Sequence, residues 1–158
     1  MEKLETQNII TNKVISRFSK HQTELVKCGI NKNELSLKDK WQALHYKYVE
    51  LNQMLHFYIA LEVDSSMPLQ MLYKELKLIE PTIIIELTKF QGYYLYELDT
   101  PVSSKIESRQ YNYYQSIRDS LIEKIKLEAD YTSTVASPLS GLVTVCINDT
   151  RYDLSDLK

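Results

Sequence analysis

At 158 residues, 44% hydrophobic and 25% charged, the chain has the length and balance of one soluble globular domain with a sizeable core. A formal net charge of −2 excludes a uniformly basic nucleic-acid coat and leaves room for a local basic face. No apolar run approaches the roughly twenty residues of a membrane span, and the opening MEKLETQNII lacks the basic start and apolar centre of a signal peptide.

Residues 1–16 read as an opening helix on a stripe of Ile9, Ile10, Val14 and Ile15. RFSKH follows, setting Arg17, Lys20 and His21 around Phe18. It is either a solvated helix end with one anchoring aromatic or a cationic contact for phosphate. Cys28–Asn31 reads as a turn, with no catalytic partner near Cys28. Ser36, with Asp39 three residues on, reads as a helix cap. That helix continues through Trp41, Leu44 and Tyr48, with Lys38, Lys40 and Lys47 on its outer side and His45 as a satisfied or exposed histidine.

Leu55–Asp64, LHFYIALEVD, is the strongest strand signal: an apolar, β-branched and aromatic run bounded by Ser65-Ser66. Met67-Pro68 opens a short helix buried through Leu69, Leu72 and Leu76. Thr82–Glu86 reads as a second strand and Gly92–Leu98 as a third, paired through Thr88–Gln91 and closed by Thr100-Pro101. Tyr93, Leu95 and Glu97 should face one way and Tyr94, Tyr96 and Leu98 the other. That tyrosine stripe is either a stacking platform for bases or the core and rim of a sheet. Ser104–Glu107 reads as a capping box opening a long helix to about Ala129, buried through Ile106, Tyr113, Ile117, Leu121 and Ile125. Its mixed charges mark a solvated face. Leu142–Ile147 is a fourth strand, and Asp149–Leu157 closes the chain, helical from Leu154. Twelve tyrosines against three glycines suggest a tightly packed α/β or α+β body. Cys28 and Cys146, with neither CxxC nor zinc spacing, read as reduced thiols in a cytoplasm.

Two acids stand out. Side chains alternate along a strand, so Tyr58, Ala60, Glu62 and Asp64 share one face. Glu62 and Asp64, at i and i+2 on the lip of a buried strand, can hold one hard divalent cation or form a solvated strand end.

The order of motifs resembles the catalytic domain of plasmid replicases of the colicin-plasmid type, which are primase-polymerase-like replication initiators of the archaeo-eukaryotic primase kind. RFSK (Arg17–Lys20) is similar to the family's Arg-Phe-Pro-Lys, with Ser19 in place of Pro. Ala43 with Tyr48–Asn52 is similar to its Ala…Tyr-Ile-Gln-x-Asn. Tyr58–Asp64 resembles its apolar strand ending in Asp-x-Asp, and Ile79–Val102 its hairpin closing in Tyr-x-Leu-x-x-Pro-Val. Leu127–Asp130, a Ser-Pro, and Tyr152–Leu157 resemble the end of its catalytic domain. The likeness runs from about residue 14 onward.

The resemblance implies an α+β fold, with a small, mostly antiparallel central sheet flanked by helices, in one primase-like domain over residues 1–158. It implies primer synthesis from nucleoside triphosphates with Mg2+ or Mn2+. Carried over, Glu62 and Asp64 hold the metal and Asp130 is a third acid. Arg17 and Lys20 meet the triphosphate, and Tyr93 takes the place of a nucleotide-contacting His. DNA, a nucleoside triphosphate or a protein of the replication machinery is the expected partner, with no membrane.

The departures are specific. Glu62 replaces the first Asp. The family's Asn-Gly-His-Ala-His reads Lys89-Phe90-Gln91-Gly92-Tyr93, so both histidines are gone, and a Tyr, neutral at pH 7, supplies no cation to a phosphate. The family's Lys-Asn-Pro reads Ala136-Ser137-Pro138. The family's C-terminal DNA-binding part has no expected counterpart. Three readings follow: a working primase or nucleotidyltransferase; a diverged, non-catalytic plasmid or phage replication protein that binds nucleic acid, nucleotide or protein; and an unrelated α+β domain.

Overall fold

The structure, a computed structural model, describes residues 2–105, 108–125 and 129–158. Nine strands and four helices alternate irregularly along these residues. Helix α1 (Glu2–Lys20) precedes strands β1 (Leu25–Gly29) and β2 (Ser36–Asp39), short helix α2 (Lys40–Ala43), β3 (Tyr48–Glu50) and β4 (Leu55–Asp64). Then come α3 (Leu69–Glu75), β5 (Ile83–Glu86), β6 (Gln91–Ser103) and α4 (Arg109–Ile125). Strands β7 (Ala129–Tyr131), β8 (Thr134–Ala136) and β9 (Thr144–Ile147) follow, with a 3-10 turn at Leu154–Leu157.

The fold is α+β, built on two antiparallel sheets where one was expected. The larger has the order β7-β4-β6-β5-β9 and the smaller β2-β1-β3-β8. The larger sheet is apolar on both faces. Ile59, Leu61, Val63, Ile84, Tyr94 and Tyr96 pack beneath α3 and α4, against Leu69, Leu72, Tyr114, Ile117, Leu121 and Ile125. On the reverse face Tyr58, Ala60, Ile83, Ile85, Tyr93 and Leu95 meet Val14 and Phe18 of α1 and Val26, Cys28, Val49 and Val135 of the smaller sheet. The result is three layers, with the large sheet in the middle. The alternation expected for β4 and β6 places their side chains on these two faces.

Tyrosines suit such a body because a ring can fill the core while its hydroxyl reaches a backbone carbonyl. Tyr96 Oη donates to Ile79 O at 3.0 Å, Tyr114 Oη to Tyr58 O at 3.0 Å, and Tyr94 Oη to Leu69 O. Tyr93, Tyr94 and Tyr96 are each fully buried, so the stripe is core and offers no platform to bases.

Several expectations shift. Ser36–Asp39 forms a strand, because Val26 and Lys27 of β1 pair with Lys38 and Leu37. The cap is Asp39, whose carboxylate accepts Trp41 N at 3.2 Å, and the helix lasts only to Ala43, leaving Tyr48 in β3. β6 runs through Pro101 to Ser103, since His56 pairs with Val102 and Tyr58 with Glu97. Phe57 alone thus stands opposite residues 98–101, and a bulge of this kind is where a strand tolerates proline. The excursion receives Tyr152, whose N–H donates to Glu97 O at 2.9 Å. In α4 the buried tyrosine is Tyr114, and Tyr113 is exposed. Ile106 and Glu107 of the expected capping box, and residues 126–128 of the expected helix end, lie outside the described residues. Ala129 belongs to β7.

Candidate functional site

The expected acids come from adjacent strands. Glu62 of β4 stands opposite Asp130 of β7 and, on its other side, opposite Tyr93 of β6. Asp64 stands opposite Gln91, two residues further along the same face. Directly opposed residues bring their Cβ atoms within about 5.5 Å, so Asp130, Glu62 and Tyr93 form one row on the face turned toward the smaller sheet. β4 carries them to its end because Ile59, Leu61 and Val63, on the opposite face, are locked under α4 and leave the even-numbered residues facing the smaller sheet.

The three acids are already engaged. Lys32, in the turn between β1 and β2, places Nζ 2.8 Å from Glu62 Oε1. That hydrogen bond raises the Lys32 pKa, against a smaller lowering by burial. Gln91 Nε2 donates to Asp64 Oδ1 at 3.3 Å, and Tyr131 N donates to Asp130 Oδ1 at 2.8 Å. Tyr93 Oη is buried without a protein hydrogen-bond partner among the described residues. Burial, then the charge of Glu62, pushes its pKa far up, so the phenol stays neutral. Among the described residues no three His, Cys, Asp or Glu side chains are grouped to hold a metal ion. With an ammonium on Glu62, the row as arranged does not fit a divalent cation.

Arg17 lies elsewhere. Its Nε and Nη2 grip Glu97, with Nε–Oε2 and Nη2–Oε1 both 2.9 Å, and Nη1 reaches Asp149 Oδ1 at 3.0 Å. His21 Nε2 lies 3.0 Å from Glu97 Oε2 while its ring stacks on Phe57 at 4.0 Å. Glu97 follows Tyr93 by four residues on β6, about 13 Å along the strand. The cationic end of α1 is therefore committed to Glu97 and does not lie across the acid row. Lys20 is exposed at the last residue of α1. Burial raises the Glu97 pKa, but the hydrogen bonds from His21 and Arg17 and the Arg17 charge outweigh it and leave the carboxyl below its ordinary value.

Three residues that the sequence did not single out as site residues pair with the charged groups expected there: Lys32, Glu97 and Asp149. Glu97 carried a readable signal, since an acid on the buried register of Tyr93 and Leu95 requires a partner. Lys32 and Asp149 carried none, being ordinary turn residues.

A profile of the Replicase family matches residues 21–158. The chain belongs to the Replicase family. The matched span contains β4, β6 and β7, hence the whole acid row of this Replicase domain, and begins after Arg17–Lys20. No curated protein and no solved structure matches the chain. Family membership makes this a replication-related protein. No helix among the described residues is long and apolar enough to cross a membrane.

Proposed function

We propose that this Replicase-family chain serves plasmid or phage replication as a diverged primase-type protein that binds nucleic acid and does not carry out metal-dependent nucleotidyl transfer. The observation that carries this reading is the Lys32–Glu62 contact of 2.8 Å, which puts a tethered ammonium where the family resemblance asks for a divalent cation. Tyr93 supports it, since a buried neutral phenol replaces the cationic contact to a nucleotide phosphate. The chain on and beside the smaller sheet carries Lys38, Lys40 and Lys47, each with its ammonium over an aromatic ring, and the Trp41 ring under Lys40 is exposed. Two free thiols suit a reducing cytoplasm.

The test is a primer-synthesis assay with labelled nucleoside triphosphates, single-stranded template and Mg2+ or Mn2+, alongside melting with and without metal. We expect no product and an unchanged Tm. A metal-dependent product or a metal-dependent rise in Tm overturns the reading.

A second reading, an active nucleotidyltransferase using Mg2+ or Mn2+, is favoured by one observation: the register sets Asp130 beside Glu62, with Asp64 on the same face. In that reading Lys32 leaves Glu62 for a triphosphate, and Lys32→Gln abolishes product formation.

A further inference from the structure

β2 ends the smaller sheet, and among the described residues no strand lies beyond it. The ladder shows what its outer edge presents. Lys40 N donates to Glu24 O at 2.9 Å, which continues the register that sets Val26 opposite Lys38 and Lys27 opposite Leu37. Hydrogen-bonded and non-bonded pairs alternate along an antiparallel ladder. Lys38 and Lys40 therefore bond to β1, whereas Leu35, Leu37 and Asp39 turn their backbone groups outward. The far side of the sheet agrees. Ser137 N donates to Lys47 O at 2.9 Å and Leu51 N to Ser133 O at 2.7 Å, so odd-numbered residues of β3 bond to β8. Tyr48 is left to bond Gly29, and Cys28 to bond Ser36. Among the described residues no hydrogen bond reaches the Leu37 backbone from beyond the sheet.

Apolar side chains gather at the same edge. Val26 and Cys28 point into the core, so Leu25 and Lys27 face outward, and opposite them Asp39 and Leu37 do the same. Leu25 and Leu37 are each 59% exposed, and Trp41, just past the end of β2, is 61% exposed. An edge strand with bare backbone groups and leucines beside them is a template for another strand.

We infer that β2 pairs with β2 of a second copy of this chain, antiparallel about a two-fold axis at Leu37, so that two four-stranded sheets become one. Such an axis stands perpendicular to the sheet and pairs residues of like face, which permits Leu37 opposite Leu37 or slips of two residues from it. With Leu37 on the axis, the two Leu37 residues exchange both of their outward hydrogen bonds and bring their side chains together. Ser36 meets Lys38, and Leu35 meets Asp39. At each end the exposed Glu34 comes opposite Lys40, so symmetry repeats one pairing of unlike charges. A slip one way sets Lys38 opposite Lys38, and like charges directly opposed are destabilising. A slip the other way leaves Ser36 as the only residue of β2 opposite β2. The edge is thus complementary to itself in hydrogen bonding, apolar surface and charge, and a second copy is the partner that matches all of these. A strand this short keeps the interface below the standard size of about 1,600 Å², so the dimer is reversible. The pairing is independent of what the acid row or the lysines bind.

Sedimentation equilibrium of the full chain, from low micromolar to millimolar concentration, tests the pairing. We expect a monomer–dimer equilibrium. Leu37→Lys places two ammonium groups on the axis, and Leu37→Pro removes the outward N–H while leaving the bonds to β1 intact. Each should weaken dimerisation about tenfold or more. Leu37 is exposed in the monomer, so Tm at low concentration should stay near the parent value in Leu37→Lys. Glu34→Lys and Lys40→Glu should each weaken the dimer, and the two together should restore it. A chain that stays monomeric throughout, a dimer that Leu37→Lys leaves unchanged, or a double variant no tighter than either single one overturns the inference.

Discussion

Glu97 has no accessible surface, yet it carries a charge. Its stability rests on the two-point grip of Arg17 and the contact with His21, without which a buried carboxylate is strongly disfavoured. Arg17→Met leaves Glu97 with His21 alone and should cost about 3–5 kcal/mol at pH 7, read from urea unfolding; adding Glu97→Gln should restore part of it. The pH dependence follows from the lowered Glu97 pKa. A carboxyl lowered in the folded state contributes stability that is fully present above its unfolded value, about 4.3. That contribution is lost as pH falls through the lower folded value. Glu97→Gln should therefore flatten the acid side of the stability profile, and Arg17→Met, which removes a group that lowers the Glu97 pKa, should lose less stability than the parent as pH falls below about 4.3. A loss below about 1 kcal/mol in Arg17→Met would place this grip among weak surface pairs. At this scale the sequence was half legible. The acids Glu62, Asp64 and Asp130 could be grouped by strand alternation and family resemblance. The partners Arg17–Glu97, eighty positions apart, and Lys32–Glu62, thirty apart, could not, because sequence spacing says nothing about which surface charge folds onto which strand.

Elements were legible where burial is two-sided and hidden where it is not. β4, β5 and the start of β6 are dense apolar runs, and the structure places them within a few residues of the expected bounds. β2 has no fully buried residue, and β7 and β8 span three residues each, so none shows a period of its own. The Ser36–Asp39 spacing imitates a capping box, and only its pairing with β1 decides for strand. The end of α3 makes a sharper test. Lys77 has φ 56°, the left-handed conformation that stops the helix while Leu78 N donates to Tyr73 O at 2.8 Å. A side chain there carries a strain of about 1–2 kcal/mol, of which glycine's extra unfolded-state entropy takes back about 0.5–1. Lys77→Gly should thus raise stability by about 0.5 kcal/mol, about 1–2 °C in Tm for a chain this size. Lys77→Val at the same position should lower it. A fall in Tm for the glycine variant would show that the strain is absent.

For the molecule as a whole, a net charge of −2 conceals an uneven distribution. The large sheet places Glu62, Asp64 and Asp130 together at one end. On and beside the smaller sheet, Lys38 Nζ lies 5.6 Å from the Tyr46 ring centroid, Lys40 Nζ 5.8 Å from Trp41, and Lys47 Nζ 5.4 Å from Tyr48. The sequence could not announce this division, because it gives each strand's faces but not the second sheet that collects these lysines; the resemblance pointed instead to Arg17 and Lys20. A strand of nucleic acid lying on this surface would release counterions from its phosphates. Each phosphate neutralised on a single strand contributes about −0.7 to the slope of log K against log salt. Lys38, Lys40 and Lys47 together should give a slope near −2.1, about a twentyfold loss of affinity for single-stranded DNA between 50 and 200 mM salt. Each Lys→Gln change should reduce the slope by about 0.7, whereas Lys20→Gln on α1 should leave it unchanged. A flat response, or a slope that survives loss of all three lysines, would direct the search to a protein partner, since phosphate contact cannot be salt-independent.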